Sequence, residues 1–263
     1  MEDYRRLSAY PVPGWVQDDW VIDYELNRRG IQLDMDLVRG ALAIDDQHKT
    51  ELVEKAIQIT GLTNPNSRNQ LLTWINDNSD LKLEKLTKET VAESLQIAED
   101  QVAEVLHIRR ALAKSSISKY ESMKNAVCAD GRIRGVLQFY GANRTGRWAG
   151  RLVQVQNLPH DVPVAMDTAI RLVKNGNARG VKLMYGHIST SLSHLIRAAF
   201  VAPEGSLLCV SDFSAIEARV LSWLADEKWR QDVFAKGGDI YCASASSMFG
   251  VPVEKHGING HLR

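Results

Sequence analysis

The sequence predicts an α+β protein with a helical first half and a second half that mixes short strands with helices. Apolar residues recur at helical spacing through much of residues 15–123. From Gly131 onward the texture changes to glycine- and arginine-rich stretches of strand length. A short apolar run at 206–212 is then followed at once by an amphipathic pattern.

Each element has a local reason. The stretch 15–29 ends at Gly30, where a helix C-terminus commonly places glycine. Asp34 can cap the next helix, which carries Val38, Leu42, Leu52, Val53, Ala56 and Ile57. Asn64-Pro65-Asn66-Ser67 is a turn, with Ser67 placed to cap a helix bearing Leu71, Leu72 and Ile75. Thr87 opens another helix through Leu95, and a long amphipathic helix is expected over 98–123 on Val102, Val105, Leu106, Ile108, Leu112 and Ile117. Strands are expected at 132–139 and turns with strand over 141–150, followed by helix over 161–195 and a strand over 206–212. A helix over 214–225 presents Ile216, Val220 and Leu224 as its apolar stripe.

Composition narrows the class. With 263 residues, 44% hydrophobic and 24% charged, the chain can bury a sizeable core. No stretch approaches the roughly 20 apolar residues of a membrane span, and no signal pattern opens the chain, so a cytoplasmic protein without membrane contact is expected. Cys128, Cys209 and Cys242 follow no metal or disulfide spacing and read as small core residues. The formal net charge is zero, which argues against binding nucleic acid by bulk charge. Distribution says more than the sum: between Arg109 and Arg151 lysines and arginines face only Glu121 and Asp130, a basic stripe suited to gripping phosphates or simply a solvated positive face.

The chemistry concentrates in Asp212-Phe213-Ser214-Ala215-Ile216-Glu217-Ala218-Arg219. Asp212 at a strand tip offers a hard oxygen ligand for Mg²⁺ facing an open cleft. The same aspartate could instead cap the helix that follows.

This segment resembles the first catalytic motif of family A DNA polymerases, usually Asp-Tyr-Ser-Gln-Ile-Glu-Leu-Arg, with Phe213, Ala215 and Ala218 as the departures. Thr145-Gly146-Arg147 with Gln156-Asn157-Leu158-Pro159 resembles the family's segment along the primer–template minor groove. Leu195-Ile196-Arg197-Ala198-Ala199-Phe200 resembles the lead-in to the catalytic strand, and Gly238-Asp239-Ile240-Tyr241 with Phe249-Gly250-Val251-Pro252 the opening of the fingers. Near the start, Gly30-Ile31-Gln32-Leu33-Asp34, Asn64-Pro65-Asn66-Ser67 and Arg109-Arg110-Ala111-Leu112-Ala113-Lys114 resemble the beginning of the polymerase region and its thumb. The form with a lengthened 161–194 is that of phage or prophage members.

The resemblance implies an incomplete right-hand fold. Residues 1–45 are palm-associated helices, 46–130 a helical thumb, 131–225 a palm whose small antiparallel sheet delivers Asp212 on its central strand, and 226–263 the start of the fingers. It implies Asp212 and the Phe213 carbonyl as metal ligands, and Ser214, Ile216, Glu217 and Arg263 as nucleotide-binding, with Glu217 excluding a ribose 2′-hydroxyl. Arg109, Lys114, Arg144, Thr145, Arg147, Gln156, Asn157 and Arg197 are implied as DNA contacts. An arginine on the minor-groove side senses correct pairing, because the acceptors there are nearly the same for every base pair.

The family continues with a fingers helix and a His-Asp-Glu motif, neither of which occurs here. The expectation is template-directed DNA synthesis from primer–template DNA and dNTP in a longer parent, in the cytoplasm of a bacterial host, with two Mg²⁺ ions that this chain does not retain by itself. Inactivity alone, and a missing C-terminal half as partner, follow from that reading. The competing readings are a DNA-binding module, one half of a split polymerase, a related RNA polymerase, against which Glu217 argues, and a purely structural helical protein.

Overall fold

The computed structural model describes residues 2–113, 117–159 and 161–263. It divides into two compact units, residues 1–207 and 208–263.

The first unit opens with helices α1 (Glu2–Leu7) and α2 (Gly14–Arg29), strand β1 (Ile31–Leu33) and the 26-residue α3 (Met35–Thr60). Gly30 ends α2 at φ 67°, and the Asp34 side chain accepts from the Leu37 N–H to start α3. Ser67 and Thr87 cap α4 (Arg68–Asp77) and α5 (Lys88–Ser94). The single helix expected over 98–123 is instead two, α6 (Asp100–Leu112) and α7 (Ser118–Ala126). Strands β2 (Arg132–Ile133), β3 (Leu137–Ala142) and β4 (Arg147–Gly150) follow, the expected strand at 132–139 being divided where Gly135 takes φ 67°. The helical stretch after 161 is three helices, α8 (Met166–Lys174), α9 (Ala178–Tyr185) and α10 (Ile188–His194), before β5 (Phe200–Val201).

The antiparallel sheet runs β2-β1-β5, with Ile31 opposite Ile133 and Gln32 opposite Val201. Its central strand is β1. The expected strand at 206–212 does not form, and Asp212 is not delivered by a central strand. A strand exists only through ladder partners, and among the described residues none pairs with 206–212. The segment has no regular structure, and Leu207, Val210 and the following Phe213 are exposed at 91%, 92% and 80%. Cys128 and Cys209 are exposed too, and only Cys242 is buried, so two of the three cysteines are not core residues.

Two cores hold the first unit. The larger joins Leu37, Val38, Ile44, Tyr120, Met123 and Ile133 to Leu192, Leu195 and Ile196. The smaller, Leu71, Ile75, Val91, Val102, Val105 and Leu106, lies among α4, α5 and α6. The second unit comprises α11 (Ile216–Leu224), α12 (Lys228–Ala235) and α13 (Ile240–Phe249), with Cys242, Ala245 and Val253 buried together. Ile216, Val220 and Leu224, the expected apolar stripe of α11, are exposed. Among the described residues no helix is long and apolar enough to cross a membrane.

Candidate nucleic-acid interface

In the first unit the antiparallel pair β3–β4 brings several predicted residues to one ribbon. Its turn closes with the Thr145 and Gly146 amides donating to the Ala142 carbonyl at 3.0 and 2.9 Å. This leaves Arg144, Thr145 and Arg147 exposed at the tip, where the Arg147 amide donates to the Thr145 hydroxyl at 3.4 Å. At the far end of β4, a Cβ on Gly150 would lie 1.9 Å from Gln156 Oε1. Glycine there lets the Gln156 amide lie against the ribbon. Asn157 follows in the same 3₁₀ turn, its Nδ2 donating to Gln154 Oε1 at 3.3 Å. Arg144, Arg147, Gln156 and Asn157 thus share one element and the turn that leaves it. Asn27 anchors this ribbon to α2, its side-chain amide exchanging hydrogen bonds of 2.9 and 3.1 Å with the Leu137 backbone.

Part of the basic stripe is used inside the fold. Arg132 and Arg134 donate to the carbonyls of Arg29, Gly30 and Arg28 at the C-terminal end of α2, where cations are favoured, and Arg134 also holds Asp130 at 2.9 and 2.6 Å. Lys119 Nζ donates to the Val153 carbonyl at 2.7 Å. Arg197, a predicted DNA contact, donates to the carbonyls of Leu158 at 3.1 Å and Pro159 at 3.4 Å.

Arg109 stands half-buried near the end of α6. Burial first, and the nearby Arg68 charge second, pull its guanidinium below the ordinary value. Arg68 opens α4, where the free amides of a helix N-terminus favour an anion. Arg68 is the residue sequence reading missed, although it directly follows the Ser67 cap. Lys114 lies outside the described residues.

In the second unit, Asp212 and Phe213 are exposed in irregular chain ahead of a turn at Ser214 and Ala215. The N-cap of α11 is Ala215 in the left-handed region at φ 52°, with no side-chain cap, so Asp212 does not cap this helix. Glu217 follows in the first turn. Arg219 pins the turn, donating to the Ser214 carbonyl at 2.8 Å and lying 4.3 Å over the Phe234 ring. A groove of about 320 Å³ is lined by Ser214, Arg219, Asp239, Tyr241, Lys255 and Arg263 among others. It joins Ser214 and Arg263, while Asp212, Ile216 and Glu217 are not among its lining residues. The Arg263 guanidinium is held by Asp239 at 2.8 and 3.0 Å and lies 5.3 Å over the Tyr241 ring. Arg219, Lys255 and Asp239 were not singled out from sequence, although Arg219 and Asp239 stand inside the quoted motifs.

Among the described residues no three His, Cys, Asp or Glu side chains gather to hold a metal ion. These residues alone therefore do not fit a two-metal centre, which needs carboxylates on both sides of the ion pair.

The chain belongs to DNA polymerase family A, which it matches over residues 43–259. It is 50% identical over 236 residues to the DNA polymerase of Bacillus phage SP02, covering 89% of this chain and 36% of that protein. It is 30% identical over 235 residues to the thermostable DNA polymerase I of Thermus aquaticus, covering 86% of this chain and 25% of that protein. The chain thus spans about a third and a quarter of these relatives. The fold matches the POL domain of Pol1 from M. smegmatis in complex with DNA primer-template and dNTP, at TM-score 0.56 and 20% identity, over 85% of this chain and 36% of that one. Members of the family are generally dependent on divalent metal.

Proposed function

We propose that this chain supplies the thumb, part of the palm and the opening of the fingers of a template-directed DNA polymerase that adds dNTP to a primer 3′-hydroxyl in a bacterial host cytoplasm. Membership of family A and the half-identical phage relative support the reaction class. The observation that carries the reading is the shared ribbon: Arg144, Thr145 and Arg147 stand at its tip, and Gln156 lies against Gly150 at its base. Guanidinium and amide donors at that spacing suit the uniform acceptors of a minor groove. Arg68 and Arg109 suit the phosphate backbone of the same duplex. Arg197, exposed and held by two carbonyls through Nε and Nη2, supports the groove-facing segment and is proposed to face the duplex from there.

In the second unit Ser214, Arg219, Lys255 and Arg263 offer a polar groove to the dNTP phosphates. Glu217 is the residue proposed to reject the ribose hydroxyl. Asp212, with the Phe213 carbonyl, is proposed as one ligand of the catalytic magnesium, the other carboxylates coming from sequence beyond these residues, in the same polypeptide or a second one. On the domain reading, 1–45 supports the palm, 46–130 is thumb, 131–225 palm and 226–263 fingers. The separate small core among α4, α5 and α6 supports a thumb within that middle stretch.

Primer extension tests the proposal. The chain alone is expected to give no synthesis. Mixing it with the remainder of the phage SP02 polymerase is expected to restore synthesis, and Asp212→Asn to abolish it. Robust synthesis by the chain alone, or by the Asp212→Asn mixture, overturns it.

A further inference from the structure

We propose that Lys119 is a positioning residue for the Gln156-Asn157 turn: its ammonium, by donating to the Val153 carbonyl, holds the strained backbone on which those two amides stand. The inference rests on the minor-groove reading above and deepens it by assigning a residue that acts without touching DNA.

The path from β4 to the turn passes through Leu152 at φ 56° and Gln154 at φ 53°. Bulky residues rarely hold the left-handed region, and they persist there where the surroundings over-determine them. Val153 between them is fully buried, which fixes its side chain, and Lys119 fixes its carbonyl at 2.7 Å. Lys119 itself rides on α7, whose Tyr120 is fully buried and donates from its hydroxyl to the Leu192 carbonyl at 2.8 Å. The donor is therefore carried on a rigid element. Burial also pulls the Lys119 ammonium below its ordinary pKa, as expected of a charge given up to one internal acceptor.

The constraint reaches the amides directly. Gln154 Oε1 accepts from Asn157 Nδ2, and the Gln154 carbonyl accepts from the Asn157 amide at 2.9 Å. A rotated Gln154 therefore re-aims Asn157. At the other end Leu158 is buried and Arg197 holds its carbonyl, so the turn is fixed on both sides. Release of one clamp lets the turn swing from its line with Arg147 while the duplex can still meet the phosphate-binding arginines.

The test uses fluorescence anisotropy of the 263-residue chain at low salt with primer–template carrying adenine or 3-deazaadenine in the terminal pair, the latter lacking the minor-groove N3 acceptor. Wild type is expected to bind the deaza duplex about tenfold more weakly, the worth of a good hydrogen bond. Lys119→Met is expected to cut that penalty below about twofold, Lys119→Arg to restore it, and Lys119→Gln to fall between. In DNA-free protein, hydrogen exchange at the Gln154, Asn157 and Leu158 amides is expected to accelerate in Lys119→Met and not in Lys119→Arg. A full penalty in Lys119→Met overturns the inference, as does a lost penalty in Lys119→Arg. A weaker salt dependence with the penalty intact also overturns it, since that marks a phosphate contact. A wild type indifferent to the deaza base overturns the minor-groove reading itself, and this inference with it.

Discussion

Asp239 divides its carboxylate between two tasks: Oδ1 accepts from the Tyr241 and Cys242 amides to cap α13, while Oδ2 takes both Nε and Nη2 of Arg263. The Arg263 hydrogen bond, with the two amides assisting, holds this carboxyl below its ordinary value of 3.8. A carboxyl with a depressed folded pKa stabilises the fold above its unfolded value and loses that contribution as pH falls through the folded one. Cap and pair are therefore expected to be intact at neutral pH and to fail below about pH 3.8. Asp239→Ala is expected to cost the second unit about 1 kcal/mol through the lost cap and to remove the acid-side transition, both read by circular dichroism against pH.

Arg109 stands in the last turn of α6 and Arg68 opens α4, and both are proposed to meet the phosphate backbone. Arg109→Met is expected to weaken DNA binding about equally for all sequences and to reduce the slope of log K against log salt by about one, measured by anisotropy across a salt series. A sequence-dependent loss would contradict a phosphate contact.

Gly40 lies in α3 where it crosses α8, and a Cβ there would stand 2.1 Å from the Val173 carbonyl oxygen. Alanine improves helix propensity by about 1 kcal/mol. The clash is with backbone, which cannot swing aside, and overpacking of that kind costs roughly 1–3 kcal/mol. Gly40→Ala is expected to destabilise the first unit by about 1 kcal/mol net of the better helix former, seen as a melting point lower by a few degrees.

Tyr120 is fully buried with its hydroxyl on the Leu192 carbonyl, and burial pushes its pKa up from 10.0. A group with a raised folded pKa contributes fully below its unfolded value and loses that contribution as pH rises above it. Urea denaturation is expected to show stability falling above about pH 10, and Tyr120→Phe to flatten that fall while costing about 1–2 kcal/mol at neutral pH.

The irregular segment with Leu207, Val210 and Phe213 exposed offers unpaired backbone and apolar side chains together. Val210→Lys is expected to lower self-association of the chain, measured by light scattering over a concentration series.

What could be read from sequence follows the range of the physics. Asp34, Ser67 and Thr87 cap their helices within three residues of themselves, and Gly30 closes α2 one residue beyond it, so local pattern was enough. The segment at 206–212 looked like a strand because its apolar run is strand-like, but pairing is decided by what lies alongside, which a run of side chains does not encode. The same distance separates the number of cations from their use. Arg144 and Arg147 stay at the ribbon tip, yet Arg132, Arg134, Lys119 and Arg197 spend their donors on carbonyls as far as 106 residues away. Arg68 escaped notice because its significance comes from Arg109, on a different helix.

The three-residue strand β1 sits between partners that the ribosome makes much later: Ile31 waits for Ile133, and Gln32 for Val201. At roughly 5–20 residues per second, the second of these is made on the order of ten to thirty seconds after β1 itself. During that interval α3 has its capping aspartate and can coil early, while its apolar face has no α8 or α10 to cover it. Slow translation or an early stop before Val201 should therefore leave the nascent chain dependent on chaperones, whereas the small core of α4, α5 and α6, complete by Leu112, is free to assemble on the way.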